Sequence, residues 1–212
     1  MGKQCSKGAL IVFTKAPVSG QVKTRLIPYI GPRRATQIYQ ELLTKTLSTA
    51  IKSGFSSIQI WVSGDIEHDY FNQLKNRHAV KIYQQKGNNL GERMSNAFDI
   101  VLRNYSHAVL IGSDCPSLKC SDLMTSEEYL KNNNDVVLGP ASDGGYYLIG
   151  LNRNNPQLFS NIKWGKDNVF ADTCENINSL GWNLELLPQR WDVDRITDLL
   201  PYFMMKRTSS VM

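Results

Sequence analysis

The chain has 212 residues, of which 42% are hydrophobic and 20% are charged. These values exclude wholesale disorder, and the length is sufficient for a substantial core without disulfide or metal staples. The 24 basic and 19 acidic residues give a net charge of +5. Residues 1–40 hold seven of the basic residues and none of the acidic ones, so the remainder is slightly acidic. This distribution indicates a local anion site more than a broad basic surface for nucleic acid.

Cysteine and histidine usage bounds the class of protein further. The four cysteines are scattered without a C-x-x-C pair, and only three histidines are present, so a structural zinc site is not expected. The apolar stretches are too short to span a bilayer, and no secretory signal is visible, so we expect a cytoplasmic protein without a membrane span. The first six residues, MGKQCS, match a lipidation pattern, for which a chance match is the alternative interpretation.

Short apolar runs alternate along the chain with segments whose apolar residues recur at helical spacing. The expected strands are residues 9–14, 57–62, 80–83, 108–111, 135–138, 146–150 and 183–187. The expected helices are residues 35–52, 69–74, 91–103, 121–131, 169–180 and one beginning at Arg195. The alternation predicts a single α/β domain over residues 1–212, with its core at about 8–205 and a loose tail from residue 206. A mostly parallel sheet with helices on both faces is expected, and such sheets bind ligands beyond the carboxyl ends of their strands.

A loop rich in cations follows the first expected strand. Residues 15–26 have the sequence KAPVSGQVKTRL, and we call them the cationic loop. Backbone N–H groups of such a loop can face phosphate oxygens while its lysines and arginine neutralise their charge. Neither a Walker A pattern nor G-x-G-x-x-G is present, so a solvated basic loop is the alternative interpretation. The candidate nucleotide-binding residues are Lys15, Gly20, Lys23, Thr24 and Arg25, with Arg93 added from the turn after the third strand.

Two of the later turns carry candidate metal ligands. Asp114 lies in GSDCP after the strand 108–111, where a carboxylate can hold a divalent cation; capping of the next helix is the alternative. Residues 191–194 have the sequence WDVD, and we call them the acidic segment. Asp192 and Asp194 point to one side in an extended chain and can add a second metal contact, although Asp194 can also cap the last helix.

A third turn lies between the strands 135–138 and 146–150. Gly144 and Gly145 allow a backbone to approach a ligand closely, and Asp143 before them can bind a sugar hydroxyl or a metal. An ordinary Asp-Gly hairpin turn is the alternative. Together with the cationic loop, these turns fall on one inferred edge of the sheet. That combination suits a nucleotide diphosphate bridged by Mg²⁺ or Mn²⁺.

Five motifs in this order resemble a known family. KAPVSGQVKTRL, LGERM, GSDCP, GPASDGGYYLIGL and DVD followed by DL are similar to bacterial nucleotide-diphospho-sugar transferase-like proteins labelled glycosyltransferase A. Some members of that family are assigned to arsenosugar biosynthesis beside radical-SAM proteins, and 2-phospholactate guanylyltransferases belong to the wider superfamily. The resemblance covers about residues 8–200 and implies a GT-A-type Rossmann-like fold. Two departures are Ser19, where the family usually has proline, and residues 195–197, RIT, in place of Thr-Pro-Glu.

The resemblance also implies roles for individual residues. Lys15, Lys23 and Arg25 would contact the nucleotide phosphates, and Asp114 would be the metal-binding aspartate of a D-x-D-like position. Asp143 would lie in the acceptor or sugar pocket with Gly144 and Gly145, and Asp192 or Asp194 would supply a later metal-side carboxylate. The expected catalytic residues are Asp114, Asp143 and Lys23.

These residues predict a transferase that depends on Mg²⁺ or Mn²⁺ and uses a nucleotide-activated substrate. The expected reaction is glycosyl transfer from a nucleotide diphosphate sugar to a small-molecule acceptor. Nucleotidyl transfer with release of pyrophosphate is the first alternative, because the phosphate-binding motifs serve both reactions. A nucleotide-binding protein without turnover is a second alternative. Nucleic-acid binding is disfavoured, because the basic residues are not interleaved with aromatic ones over a broad face.

Overall fold

The buried strands assemble into one twisted sheet. The computed structural model describes residues 7–209, so the sequence MGKQCS lies outside the described residues. Within that range the strands are β1 (Gly8–Lys15), β2 (Ser57–Ser63), β3 (Lys81–Gln84), β4 (His107–Ile111), β5 (Val136–Pro140), β6 (Tyr146–Leu151) and β7 (Leu184–Leu186). Their order across the sheet is β3-β2-β1-β4-β6-β5-β7. β6 runs antiparallel to β4 and β5, and the other paired strands are parallel, which confirms the expected mostly parallel sheet.

Helices connect the strands in the expected alternation. They are α1 (Ile27–Lys52), α2 (Asp69–Arg77), α3 (Leu90–Leu102), α4 (Cys120–Lys131), α5 (Val169–Ser179) and α6 (Leu199–Ser209). Two single turns of 3₁₀ helix, Pro156–Phe159 and Ile196–Asp198, complete the regular structure of the described chain. No helix among residues 7–209 combines the length and apolar character needed to cross a bilayer.

Several predicted boundaries differ from the structure, and the largest difference is at the start of α1. α1 begins eight residues before the expected start, and Gly31 interrupts it with a φ of 74°. The helix proper therefore resumes at Pro32, whose fixed φ suits a first helical turn. A loose tail was expected from residue 206; α6 continues to Ser209, and residues 210–212 lie outside the described residues. Lys206 Nζ donates a hydrogen bond of 2.7 Å to Glu41 Oε2 on α1, which holds this turn of α6 against the body.

The alternation of side chains along β1 separates two cores. Leu10 and Val12 face a cluster that includes residues of α1, α2 and α4. Ile11 and Phe13 face the opposite cluster, which includes residues of α3 and α5. Because successive side chains of a strand point to opposite faces, a strand buried on both faces is a continuous apolar run, as residues 8–13, GALIVF, are. Helices on both faces of the sheet are therefore confirmed.

A third, smaller cluster joins the cationic loop to the acidic segment. Leu26 at the end of the loop packs with Ile38 and Leu42 of α1, and Val193 of the acidic segment lies in the same cluster. Leu26 and Val193 are fully buried. Burying such a side chain contributes about 1.5–3 kcal/mol. This packing brings two segments far apart in sequence to the same edge of the sheet, beside the carboxyl ends of β1 and β4.

Candidate functional site

A cavity of about 460 Å³ opens at the carboxyl ends of β1 to β4. This position is the one expected for ligands in a mostly parallel sheet. The predicted site residues that line it are Lys15, Lys23, Thr24, Arg25, Arg93, Asp114 and Asp194. The structure therefore brings most of the cationic loop, the turn after β4 and the end of the acidic segment to one cavity. Other predicted residues, namely Gly20, Asp143, Gly144, Gly145 and Asp192, are not in its lining.

Lys23 links the cationic loop to both of the other segments. Its Nζ donates hydrogen bonds of 2.6 Å to Asp114 Oδ2 and 2.5 Å to the carbonyl oxygen of Val193. The Lys23 side chain is only 3% exposed, whereas the Asp114 side chain is 41% exposed. Lys23 adopts a φ of 49°, a left-handed conformation that is uncommon outside glycine. The buried ammonium thus holds Asp114 from behind while that carboxylate faces the cavity.

Arg25 and Arg93 differ from Lys23 in their exposure and partners. Arg25 Nη1 forms an ion pair with Asp194 Oδ2, and the Arg25 side chain is 59% exposed. Arg93, at the start of α3, donates from Nε to the Gly87 carbonyl oxygen and from Nη1 to Ser63 Oγ, both at 3.1 Å. Exposed ion pairs of this kind are weak in water. A phosphate group can therefore recruit the Arg25 guanidinium at little cost in lost contacts.

A hydrogen-bonded network that the sequence did not reveal lies beneath the cavity. The Tyr39 hydroxyl, on α1, accepts from the backbone N–H of Lys15 at 2.7 Å and lies 2.7 Å from Thr14 Oγ1. Ser113 Oγ lies 3.4 Å from the same hydroxyl and donates to Asp114 Oδ1 at 2.9 Å. Burial and the charge of Asp114 raise the pKa of Tyr39, so the phenol stays protonated and connects β1 to the turn after β4.

Further residues of the cavity lining also escaped the sequence analysis. Ser63 is the last residue of β2 and Gln85 follows β3, and the Gln85 amide donates to the carbonyl oxygens of Trp61 at 2.8 Å and Thr14 at 3.1 Å. The rule that ligands bind beyond strand ends was the available signal for both. Tyr39 gave no such signal, because its position on α1 has the spacing of an ordinary core residue.

Neither carboxylate at the cavity caps the helix that the alternative interpretation assigned to it. The backbone N–H of Lys119 at the start of α4 donates to Asp122 Oδ2 at 2.9 Å. Near α6, Asp198 Oδ2 accepts from the N–H groups of Asp194 at 2.9 Å and Arg195 at 2.6 Å. Since other side chains satisfy these helix termini, Asp114 and Asp194 are left for other contacts.

The backbone at Gly144 in the Gly144–Gly145 turn packs against another segment of the protein, the residues before α5. Gly144 has a φ of 88°, and a Cβ atom there would lie 2.0 Å from the carbonyl oxygen of Asp167. Its own carbonyl oxygen accepts from the N–H of Phe170 at 2.9 Å. The close approach expected for a ligand is thus made at Gly144 by the segment before α5. Asp143 is exposed, and its Oδ1 accepts from the N–H of Gly145 at 2.9 Å, as in the hairpin turn that was the alternative interpretation.

Asp192 lies close enough to two other carboxylates to feel their charge. Burial, together with the charges of Asp143 and Asp114, raises its pKa to about 6, and a backbone hydrogen bond and Lys23 partly oppose this shift. Asp143, Asp192 and Asp114 therefore form a group with excess negative charge at the end of the cavity, although Asp143 and Asp192 do not line it. Like charges held together in this way favour a proton or a bound cation.

The donor set fits a divalent cation whose coordination a substrate completes. Within residues 7–209, no group of three or more His, Cys, Asp or Glu side chains is arranged to hold a metal ion alone. Mg²⁺ is commonly bound by one or two carboxylates together with phosphate oxygens and waters. The cavity-facing oxygens of Asp114 and the excess negative charge around Asp192 match that requirement.

The fold places the molecule in a recognisable structural class, that of nucleotide-diphospho-sugar transferase-like proteins. A proposed nucleotide-diphospho-sugar transferase from Desulfovibrio desulfuricans G20 has a similar crystal structure, with a TM-score of 0.81 and 31% identity. The alignment covers 90% of this chain and 83% of that one. Residues 46–166 match the family described as an uncharacterized protein conserved in bacteria, DUF2064. Since the match extends over more than half of the sequence, the chain belongs to this family.

Two further proteins are similar to the chain, one in sequence and one in fold. A 2-phospho-L-lactate guanylyltransferase from Methanosphaera stadtmanae is 24% identical over 146 residues, and this chain spans 62% of its length while 67% of this chain is matched. Rv0371c from Mycobacterium tuberculosis H37Rv, in complex with manganese, shares the fold at a TM-score of 0.57 and 15% identity. That alignment covers 92% of this chain and 97% of the other.

Proposed function

We propose that the protein transfers a group from a nucleotide-activated donor, with the donor diphosphate in the cavity beside the cationic loop. The observation that carries this proposal is the cavity lining, in which Lys15, Arg25 and Arg93 lie together with the exposed carboxylate of Asp114. Cations neutralise phosphate oxygens, and a carboxylate at the same place allows a divalent cation to bridge protein and phosphate. A polyphosphate ligand uses both features, whereas a simple anion uses only the first.

The residues around the cavity divide the work of binding. The arginine side chains of Arg25 and Arg93 present planar donors to the phosphates, and Lys15 adds a flexible charge. Thr24 offers a hydroxyl at the same wall. Asp114, together with Asp192 or Asp194, would hold Mg²⁺ or Mn²⁺. A bound divalent cation supplies neutralisation of the charge that develops on the leaving diphosphate.

The preferred reaction is glycosyl transfer, which the similarity to the proposed nucleotide-diphospho-sugar transferase supports. An acceptor hydroxyl oxygen would form a bond to the anomeric carbon of the donor sugar. The bond between that carbon and the diphosphate oxygen breaks, and the nucleoside diphosphate leaves with the electron pair. The acceptor proton would pass to the carboxylate of Asp143, which is exposed and is not among the residues assigned to the metal.

Nucleotidyl transfer is the second candidate, and the guanylyltransferase relative favours it. In that reaction an acceptor phosphate oxygen attacks the α-phosphorus of a nucleoside triphosphate, and pyrophosphate leaves. The cationic loop and Asp114 serve this reaction equally well, since both reactions place negative charge on a leaving phosphate group. The released product therefore distinguishes the two candidates.

The test begins with a thermal-shift panel of nucleoside triphosphates and nucleotide sugars, with and without Mn²⁺. We expect a nucleoside diphosphate moiety plus metal to raise Tm, because a ligand that binds only the folded state stabilises it. Partners found in this panel are then incubated with the full chain, and released nucleoside diphosphate and pyrophosphate are quantified separately. Binding without either product would support a nucleotide-binding protein without turnover. A panel in which no nucleotide changes Tm at any metal concentration would contradict the proposal.

A further inference from the structure

The ammonium group of Lys23 occupies an unusual place for a cation at a phosphate-binding cavity. Its side chain is 3% exposed, and its two hydrogen bonds go to the Asp114 carboxylate and the Val193 carbonyl oxygen. An ammonium group has three N–H donors, so one remains beyond these two contacts in the described chain. Lys23 therefore lies in the cavity wall, but its charge is paired with Asp114, the carboxylate proposed to bind the metal.

Each of the two oxygens of Asp114 already accepts a hydrogen bond. Oδ2 accepts from Lys23 Nζ at 2.6 Å, and Oδ1 accepts from Ser113 Oγ at 2.9 Å. The carboxylate is neutralised by the buried ammonium, yet 41% of its side chain is exposed to the cavity. A divalent cation that approaches from the cavity would meet Asp114 with a positive charge already directly behind it. Repulsion between the two cations opposes metal binding as long as Lys23 stays on Asp114.

We propose that Lys23 acts as a latch that makes metal binding at Asp114 depend on the nucleotide. Without a nucleotide the ammonium neutralises Asp114 and keeps a divalent cation out. When a diphosphate enters, its oxygens draw the Lys23 ammonium away from Asp114, and the freed carboxylate then shares a cation with the phosphates. Lys23 is therefore a positioning residue for Asp114, and this inference rests on the proposed nucleotide-binding function.

The surroundings of the latch allow it to operate over a short distance. Lys23 lines the same cavity as Lys15, Arg25 and Arg93, so a phosphate held by those side chains lies beside the wall in which Lys23 is buried. The Val193 carbonyl oxygen can retain one hydrogen bond to the ammonium, because that bond does not depend on Asp114. Only the contact with Asp114 has to be exchanged. The excess negative charge near Asp192 remains available to attract the cation once the ammonium has moved.

Coupling of this kind is reciprocal, so each ligand raises the affinity for the other. The experiment measures Mn²⁺ binding to the full chain by electron paramagnetic resonance of free Mn²⁺, alone and with saturating GDP or UDP. Binding of Mn²⁺ to the nucleotide itself is subtracted from a titration without protein. In the wild type we expect the nucleotide to tighten Mn²⁺ binding by about tenfold or more, within the usual range of such couplings.

Lys23→Met removes the ammonium and keeps most of the side-chain length. We expect this variant to bind Mn²⁺ alone about tenfold more tightly than the wild type, with the nucleotide effect reduced to about twofold or less. Lys15→Met is the matched control, because it removes the same charge from the same cavity without disturbing Asp114. Loss of this nearby charge should tighten the binding of Mn²⁺ alone much less than the Lys23 variant does, because the ammonium on Asp114 stays in place. Lys23→Gln, which keeps a donor for Val193, replaces the methionine variant if that one fails to fold by circular dichroism.

The possible outcomes separate the latch from the proposed function. If the wild type binds nucleotide but shows no coupling with Mn²⁺, the latch is overturned and the proposed function stands. Weaker or unchanged binding of Mn²⁺ alone in the Lys23 variants also overturns the latch, because it assigns the ammonium a purely structural role. An equal gain in Lys15→Met would overturn it as well, since net charge would then explain the effect. Failure of every nucleotide to bind the wild type would overturn both.

Discussion

The cationic loop and the acidic segment face each other across the cavity, but they are held in different ways. Arg25, an exposed cation of the loop, has one ion pair to Asp194 and a side chain that is 59% exposed. In the acidic segment, both the N–H and the carbonyl oxygen of Trp191 bond Ser117 Oγ, at 3.0 and 2.9 Å. The N–H of Val193 donates to the Asp114 carbonyl oxygen at 3.0 Å, which joins the segment to the turn after β4.

The difference suggests a division between adjustable charge and fixed geometry. Long basic side chains with weak exposed contacts can follow a phosphate as it binds. Carboxylates fixed through their backbone can hold a cation or receive a proton at a defined point. Lys23 belongs to the cationic loop by sequence, but its ammonium bonds Asp114 and the acidic segment at Val193. It can therefore link the loop to the carboxylates.

The largest effect is expected from Asp114→Asn, in the turn after β4 that is bonded to the acidic segment. Loss of this charge removes the cavity-facing carboxylate that would stabilise the leaving diphosphate, so kcat should fall by about 10²–10³. The measurement is product release with the donor identified by thermal shift. Asp99→Asn is the control, because Asp99 pairs with Arg103 on the exposed side of α3. A loss of less than about threefold at Asp114 would contradict the assignment of chemistry to this carboxylate.

A second variant tests what fixes the acidic segment. Arg190, the residue before it, donates from Nε and Nη2 to the two oxygens of Asp122 at 2.9 and 2.7 Å. The Asp122 side chain is 3% exposed, and Arg190→Met would leave that charge buried without its partner. We expect the free energy of unfolding to fall by about 3 kcal/mol, measured by urea denaturation.

The matched variant for this comparison is Arg103→Met. Arg103 and Asp99 have side chains that are 70% and 56% exposed, so their ion pair should contribute no more than about 0.5 kcal/mol. If both arginine variants lose the same stability, the ion pair of Arg190 with Asp122 does not explain why the acidic segment is held more firmly than the cationic loop.

A third comparison concerns two glycines with similar backbones and different surroundings. Gly144 and Gly165 have φ values of 88° and 81°, so alanine is strained at both positions. Only at Gly144 does the new Cβ meet backbone, whereas nothing lies within 4 Å at Gly165. We expect Gly165→Ala to cost about 1 kcal/mol and Gly144→Ala about 2 kcal/mol more, in the same urea assay. Equal losses would show that the segment before α5 yields easily and does not fix the turn.

Much of the fold followed from the sequence because its signals are local. Short β-branched and apolar runs were found as strands, and periodic segments were found as helices with ends shifted by a few residues. The edge that carries the site also followed, because residues after parallel strands meet at one edge. Lys15, Arg25 and Asp114 were placed in this way before any contact was known.

The contacts within the site could not be predicted, because they depend on segments distant in sequence. The burial of Lys23 requires a left-handed φ and the carbonyl oxygen of Val193, 170 residues further along the chain. Gly144 carries the same sequence signal whether it faces a ligand or the segment before α5. From sequence Asp194 was a plausible cap of the last helix, and only the structure shows that Asp198 accepts from the N–H groups of Asp194 and Arg195 there.

The smallest effect concerns the proton affinity of Asp192 in the acidic segment. Its folded pKa of about 6 lies above the ordinary value near 3.9, so the folded chain binds a proton more readily than the unfolded chain does. Stability from this group is therefore present below about pH 4 and is lost as the pH rises towards 6. Because Asp192 is only partly buried, solvent screening reduces the loss to roughly 1 kcal/mol.

Asp192→Asn removes this titration and keeps the shape of the side chain. In metal-free buffer, urea midpoints of the variant and the wild type should diverge between pH 4 and 6, with the variant more stable by roughly 1 kcal/mol at pH 7. Parallel curves across this range would show that burial and the neighbouring carboxylates do not raise the pKa of Asp192. Addition of Mn²⁺ and nucleotide should reverse the order at pH 7, because a bound cation stabilises the ionised carboxylate of the wild type and gains less from the amide. The ionised carboxylate of Asp192 would then destabilise the folded chain when the cavity is empty and stabilise it only when metal and nucleotide are bound.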